Sequence, residues 1–117
     1  YPSQIENILN RSELVKESCV IGVPDQLRGS KVKAYVVLEG DIKPGTETMA
    51  KLRSYCRTQI ARYALPREYE FIDELPRTKV AKVDYRAIEQ MDAELRAKRA
   101  AEAPPKQPRS QGKKKSQ

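Results

Sequence analysis

Val15-Lys-Glu-Ser-Cys-Val-Ile-Gly-Val-Pro-Asp-Gln-Leu-Arg-Gly-Ser-Lys-Val-Lys-Ala-Tyr-Val-Val-Leu38 decides the fold. Val15, Cys19, Val20, Ile21 and Val23 form an apolar run of strand length, closed by Pro24-Asp25. Gln26-Leu-Arg-Gly29 is a turn, and Gly29 takes positive φ without a Cβ penalty. Lys31 to Leu38 then alternates, with Val32, Ala34, Val36 and Leu38 on one face and Lys31, Lys33, Tyr35 and Val37 on the other. Two strands joined by so short a turn make an antiparallel hairpin.

Outward from the hairpin, helices surround it. Ser3-Gln-Ile-Glu6 has the form of a capping box, and Ile5, Ile8 and Leu9 share a face of a helix over 3–11. After a loop at 40–45, Thr46 or Thr48 is the expected cap of a helix reaching about Ala61, with Met49, Leu52, Tyr55, Cys56 and Ile60 as its apolar stripe. Pro66 blocks any continuation. A third strand is expected over 69–75, ended by Pro76. Asp84 caps a last helix with Tyr85, Ile88, Met91 and Leu95 on one side. The order helix, strand, strand, helix, strand, helix predicts an α+β domain: a small, mainly antiparallel three-stranded sheet flanked by helices. The body is expected to span 1–98. Residues 99–117, rich in Pro and Lys, read as a disordered basic tail.

A chain of 117 residues supports one small domain with a modest core. It has no His, which removes the usual general base and the commonest zinc ligand, so no metal site is expected. Of the net charge of +7, five charges come from Lys106, Arg109 and Lys113 to Lys115, leaving the body nearly neutral. Cys19 and Cys56 sit in apolar phase and read as buried reduced thiols of a cytoplasmic protein. No apolar run reaches the length of a membrane span, and no signal peptide is visible. The chain begins at Tyr1-Pro2 rather than Met, which suggests a fragment.

A second stretch carries the chemistry: Glu74-Leu-Pro-Arg-Thr-Lys-Val-Ala-Lys82-Val-Asp-Tyr-Arg-Ala-Ile88. It reads as a strand end, a proline-led loop and a helix start, with Lys82 in the loop. On residues alone Lys82 is an exposed cation, able to neutralise phosphate or carboxylate in a neighbouring site. The stretch resembles the last signature of the adenylate-forming enzymes, roughly Leu-Pro-Lys/Arg-Thr-x-x-Gly-Lys-Ile/Val. Tyr1-Pro-Ser-Gln-Ile-Glu6, Cys19-Val-Ile-Gly-Val-Pro-Asp25, Arg28-Gly-Ser-Lys-Val-Lys-Ala-Tyr-Val-Val-Leu38 and Tyr63-Ala-Leu-Pro-Arg67 resemble further segments of the C-terminal lid domain of its acyl-CoA synthetases, in order and spacing.

The resemblance implies an ATP-dependent carboxylic acid–CoA ligase. A carboxylate attacks the α-phosphate of ATP to give an acyl-adenylate and pyrophosphate. The lid then turns, and the thiol of coenzyme A attacks the acyl carbon. Lys82 matches the adenylation lysine; Lys79 is a nearby competitor at a variable position. Positions matching Arg28, Arg57, Leu65, Pro66 and Arg67 lie near the nucleotide of coenzyme A in medium-chain members, and each arginine reads equally well as a solvated side chain. The implied partner is an N-terminal adenylation domain absent from this chain, which would hold ATP with its Mg and the carboxylic acid, so the chain alone is expected to be inactive. The family's Gly before the lysine is Ala81 here; if that position needs positive φ, Ala81 is strained by about 1 kcal/mol. Tyr85 departs from the Arg usual in peptide synthetases.

Two other readings follow from the residues. Tyr35 with Lys31 and Lys33 on one strand face could serve a stand-alone basic module for RNA or another polyanion. Val80-Ala81 leaves room for a noncatalytic interaction domain that kept the lid fold.

Overall fold

A computed structural model describes residues 2–102; the expected basic tail from 103 onward lies outside the described residues. The elements are α1 (Pro2–Asn10), β1 (Val15–Asp25), β2 (Gly29–Leu38), α2 (Thr46–Gln59), a 3-10 turn (Arg62–Ala64), β3 (Glu68–Phe71) and α3 (Tyr85–Glu102). The α+β architecture and the element order are those expected from the sequence.

β1 and β2 pair antiparallel from Val15↔Leu38 to Asp25↔Gly29. The Arg28 amide and guanidinium both donate to Asp25 at the turn, at 3.2 and 2.9 Å, and Gly29 has φ 83°. β3 adds to the other side of β2 in parallel, from Lys33↔Glu68 to Val36↔Phe71. A parallel neighbour requires a crossover, which α2 supplies. β3 ends four residues short of its expected end: pairing stops at Phe71 and the chain leaves the sheet toward Pro76, burying Leu75 on the way.

Both faces of the sheet are covered. Val20, Ala34 and Val36 pack with Ile5 and Leu9 of α1, Leu52 and Cys56 of α2, and Tyr69. Cys19, Ile21, Val23, Tyr35 and Val37 face the opposite way and pack with Leu75 and Ile88. Burial pushes the Cys19 thiol up to about 12 and raises that of Cys56, and both cysteines are free, as their apolar phase implied.

The second face corrects the surface reading of Lys33 and Tyr35. Lys33 is only 1% exposed and Tyr35 is fully buried, both beneath α3. Lys33 Nζ donates to Asp92 Oδ1 at 2.6 Å, and the Tyr35 hydroxyl donates to the same oxygen at 2.7 Å. Arg96 Nε donates to Asp92 Oδ2 at 2.8 Å, and Arg96 Nη2 donates to Glu68 at 2.6 Å. Arg99 pairs with Glu70 at 3.0 Å. That last pair helps explain why α3 runs to Glu102, past the boundary expected at 98. Asp92, not Leu95, takes the buried place after Ile88 on the helix.

Two caps also differ from expectation. Gly45 precedes α2 without a side-chain cap, while Thr48 Oγ1 donates back to the Lys43 carbonyl at 2.6 Å. Ser3 lies inside α1 and the capping box does not form, because the Glu6 carboxylate is engaged elsewhere.

Removing Asp92 takes from buried Lys33 its closest carboxylate and leaves Glu70 at 3.3 Å and Glu68 at 3.7 Å. Asp92→Ala should therefore lower the unfolding free energy by about 1–3 kcal/mol in urea titration. Burial alone would raise the Asp92 carboxyl, but bonds from Lys33, Tyr35 and Arg96 hold it below its usual 3.8. Glu68 is likewise held below 4.5 against burial by Lys31 and Arg96. A depressed folded-state value stabilises the protein above the unfolded value and loses that contribution as pH falls through the folded one. Stability should therefore decline as pH drops below about 4.5, and more gently in Asp92→Asn.

Candidate functional site

Residues 76–84 form a small hairpin. Arg77 and Val83 make an antiparallel bridge, and the Asp84 amide donates to the Pro76 carbonyl at 2.9 Å. The Thr78 amide donates to the Lys82 carbonyl at 2.7 Å, and the Ala81 amide donates to the Thr78 carbonyl at 2.9 Å. This three-residue loop places Ala81 at φ 67°, in the left-handed region where such hairpins favour Gly. Lys82 follows it, exposed, and among the described residues it has no ion-pair partner.

The arms of the hairpin are held while its tip is free. Leu75, Val83 and Ile88 reach the core on the α3 side of the sheet. Asp84 caps α3 as expected, accepting from the Ala87 amide at 3.1 Å. Arg77 pairs with Glu17 of β1. The Tyr85 hydroxyl donates to Glu6 of α1 at 2.6 Å, and Glu6 also accepts from the Val20 amide at 2.8 Å.

The other expected site residues gather around the turn at 62–67. Arg28, Leu65 and Arg67 line a cleft of about 280 Å³ together with Lys31 and Tyr63. Arg57, Leu65, Pro66 and Arg67 line a second, of about 530 Å³, with Arg53 and Arg62. Thus Arg28 and Arg57 lie in different clefts on either side of Leu65, and Lys82 lines neither. Pro66 is buried in the turn and contributes to the wall of the second cleft. Sequence reasoning missed Arg53 and Arg62. Their signal was present: Arg53 and Arg57 are four apart on α2 beside its apolar stripe.

A family profile for the AMP-binding enzyme C-terminal domain matches residues 4–82. The chain belongs to that family. It is 40% identical over 94 residues to a long-chain-fatty-acid–CoA ligase of Bacillus subtilis, covering 80% of this chain and 16% of that protein. The crystal structure of a Brucella canis acyl-CoA synthetase matches with a TM-score of 0.75 and 30% identity, over 81% of this chain and 18% of that one. The anthranilate CoA ligase AuaEII, solved with anthranoyl-AMP, matches with a TM-score of 0.72 and 34% identity, over 83% and 19%. The chain thus spans less than a fifth of each of these proteins.

The chain is an AMP-binding C-terminal domain, and its fold presents two candidate surfaces: the Lys82 hairpin and the basic clefts. Among the described residues Tyr35 and Lys33 are interior, so the strand face that carries them is not an exposed stacking platform of the kind an RNA-binding sheet needs. Among the described residues there is no group of three metal-ligating side chains, and no helix is long and apolar enough to cross a membrane.

The left-handed Ala81 carries strain of about 1 kcal/mol, which a Gly relieves at the cost of a floppier unfolded chain. Ala81→Gly should leave stability unchanged or raise it by up to about 1 kcal/mol, and β-branched Ala81→Val should lower it by about 1–2 kcal/mol. Thermal unfolding of the three proteins decides this.

Proposed function

We propose that this domain is the moving part of an ATP-dependent carboxylic acid–CoA ligase, with its folded body through α3 as the lid and the Pro/Lys-rich residues beyond as an appended tail. The observation that carries the reading is the geometry of Lys82: an exposed ammonium, unpaired among the described residues, just after the turn of an anchored hairpin and at the end of the family match. As the carboxylate attacks the α-phosphate of ATP, negative charge grows on the oxygens between them. An ammonium held there by a rigid base stabilises that charge without reorganising. Pyrophosphate leaves, and the acyl-adenylate remains.

The second half-reaction uses another face of the same domain. The coenzyme A thiol attacks the acyl carbon and AMP departs. Arg28, Arg57, Leu65, Pro66 and Arg67 are suited to the nucleotide of coenzyme A, since guanidinium groups match phosphate geometry and Arg28 and Arg57 line the two clefts that share Leu65 and Arg67. Because Lys82 lies outside these clefts, one rigid rotation exchanges the two surfaces at a shared centre. ATP with its Mg, and the acid, would be bound by an N-terminal adenylation domain, in the cytoplasm.

The test is Lys82→Ala in the full-length ligase. Acid-dependent pyrophosphate exchange should fall by about a hundredfold or more, as when a single charge-stabilising donor is removed. Thioester formation from supplied acyl-adenylate should change by less than about threefold by the same logic. Small and equal effects on both steps would instead identify a noncatalytic domain with this fold.

A further inference from the structure

Among the described residues the Lys82 ammonium has no hydrogen-bond or ion-pair partner to aim it, so its direction is inherited from the hairpin base. Two contacts fix that base from opposite arms. Arg77, five residues before Lys82, pairs with Glu17 of β1. Tyr85, three residues after it, donates its hydroxyl to Glu6 of α1, with both carboxylate oxygens within 2.7 Å. Glu6 is itself locked, because its Oε2 accepts from the Val20 amide at 2.8 Å. β1 is an edge strand, paired only with β2, so this amide lies on the side away from β2 and a carboxylate takes the place of a neighbouring strand.

Tyr85 is 40% exposed, yet its hydroxyl is committed to a carboxylate rather than to water. Burial and the Glu6 bond both raise its phenol, so it stays a donor at any working pH. A strained residue lies between these anchors: Ala81 is held left-handed immediately before Lys82. Such a conformation persists only where its surroundings over-determine it.

We propose that Tyr85 is a positioning residue for Lys82, and that the Glu6–Tyr85 hydrogen bond is the strap that keeps the Lys82 hairpin in register with α1 and β1. The proposal rests on the ligase reading above. Misplacing a charged group by an ångström in a preorganised site is enough to lose much of its effect on rate.

The experiment uses the full-length ligase with Tyr85→Phe, Lys82→Ala, the double variant and Glu6→Gln. Tyr85→Phe keeps the ring and loses the hydroxyl. It should slow pyrophosphate exchange by about tenfold with KM for acid and ATP within about twofold, and leave thioester formation from supplied acyl-adenylate intact. In the Lys82→Ala background the same change should cost nothing further, since two residues acting as a unit are not additive. Glu6→Gln should retain most activity, because one amide oxygen can accept from both Val20 and Tyr85 as Oε2 does now. Amide hydrogen exchange at Thr78 and Ala81 should accelerate in Tyr85→Phe, a readout independent of the reaction.

An unchanged exchange rate and unchanged amide protection in Tyr85→Phe, beside an inactive Lys82→Ala, would overturn the strap and leave the ligase reading standing. An equal loss from Tyr85→Phe with and without Lys82, or a parallel loss in both half-reactions, would show that Tyr85 serves only the fold. An active Lys82→Ala would remove the ligase reading itself, and the strap with it.

Discussion

The Lys33–Asp92 pair is the constraint on which the rest depends. An ammonium 1% exposed in the middle strand has to find carboxylates: Glu70 and Glu68 of β3 lie at 3.3 and 3.7 Å, and the closest contact, at 2.6 Å, is to Asp92 of the last helix. That requirement sets where α3 lies along the second sheet face and which of its sides turns inward. Tyr35 and Arg96 complete the shell around Asp92, so the carboxylate accepts three donors. A well-packed apolar pair would serve stability as well or better. What the ionic pair adds is a single docking position for a helix with few large apolar residues to register it.

From α3 the placement propagates to the hairpin. Asp84 caps the helix and is the last residue of the 76–84 loop, so fixing the axis of α3 fixes one arm of the hairpin. Leu75 and Ile88 close over Cys19, Ile21 and Val37 and fix the other. The Lys82 loop is therefore built on a rigid core even though its tip is in solvent. Local strain at Ala81 is tolerable for the same reason.

Much of this was legible in the sequence where the deciding interaction is local. The β1–β2 hairpin, the Gly29 turn and the Asp84 cap all follow from residues within a few positions of one another, whereas α2 ends at Gln59, ahead of the stop expected from Pro66. The Lys33 reading failed because its partner is 59 residues away, and alternation alone cannot tell a second buried face from a wet one. Glu6 misled for a related reason. The motif Ser3-x-x-Glu6 promises a local cap, but the carboxylate is more valuable to an edge-strand amide and a distant phenol. The basic clefts were half visible: Arg57 and Leu65 to Arg67 were placed through family resemblance. Arg53 and Arg62 join them only once α2 and the 62–67 turn are side by side.

Ion pairing sorts many of the cations, although Arg28, one of the proposed coenzyme A residues, is itself paired with Asp25 at 2.9 Å. Lys31, Lys33, Arg77, Arg96 and Arg99 are each paired with a carboxylate and hold elements together. Arg53, Arg57, Arg62, Arg67 and Lys82 make no ion pair among the described residues. A cation left without a partner in a protein with this many acids is available to an anion from outside. Four of these five line the arginine groove and the fifth follows the hairpin turn. Under the proposed reading, a small sheet would serve two steps of one reaction. The charge each step needs would lie on separate surfaces, and rotation rather than rearrangement would bring each into use.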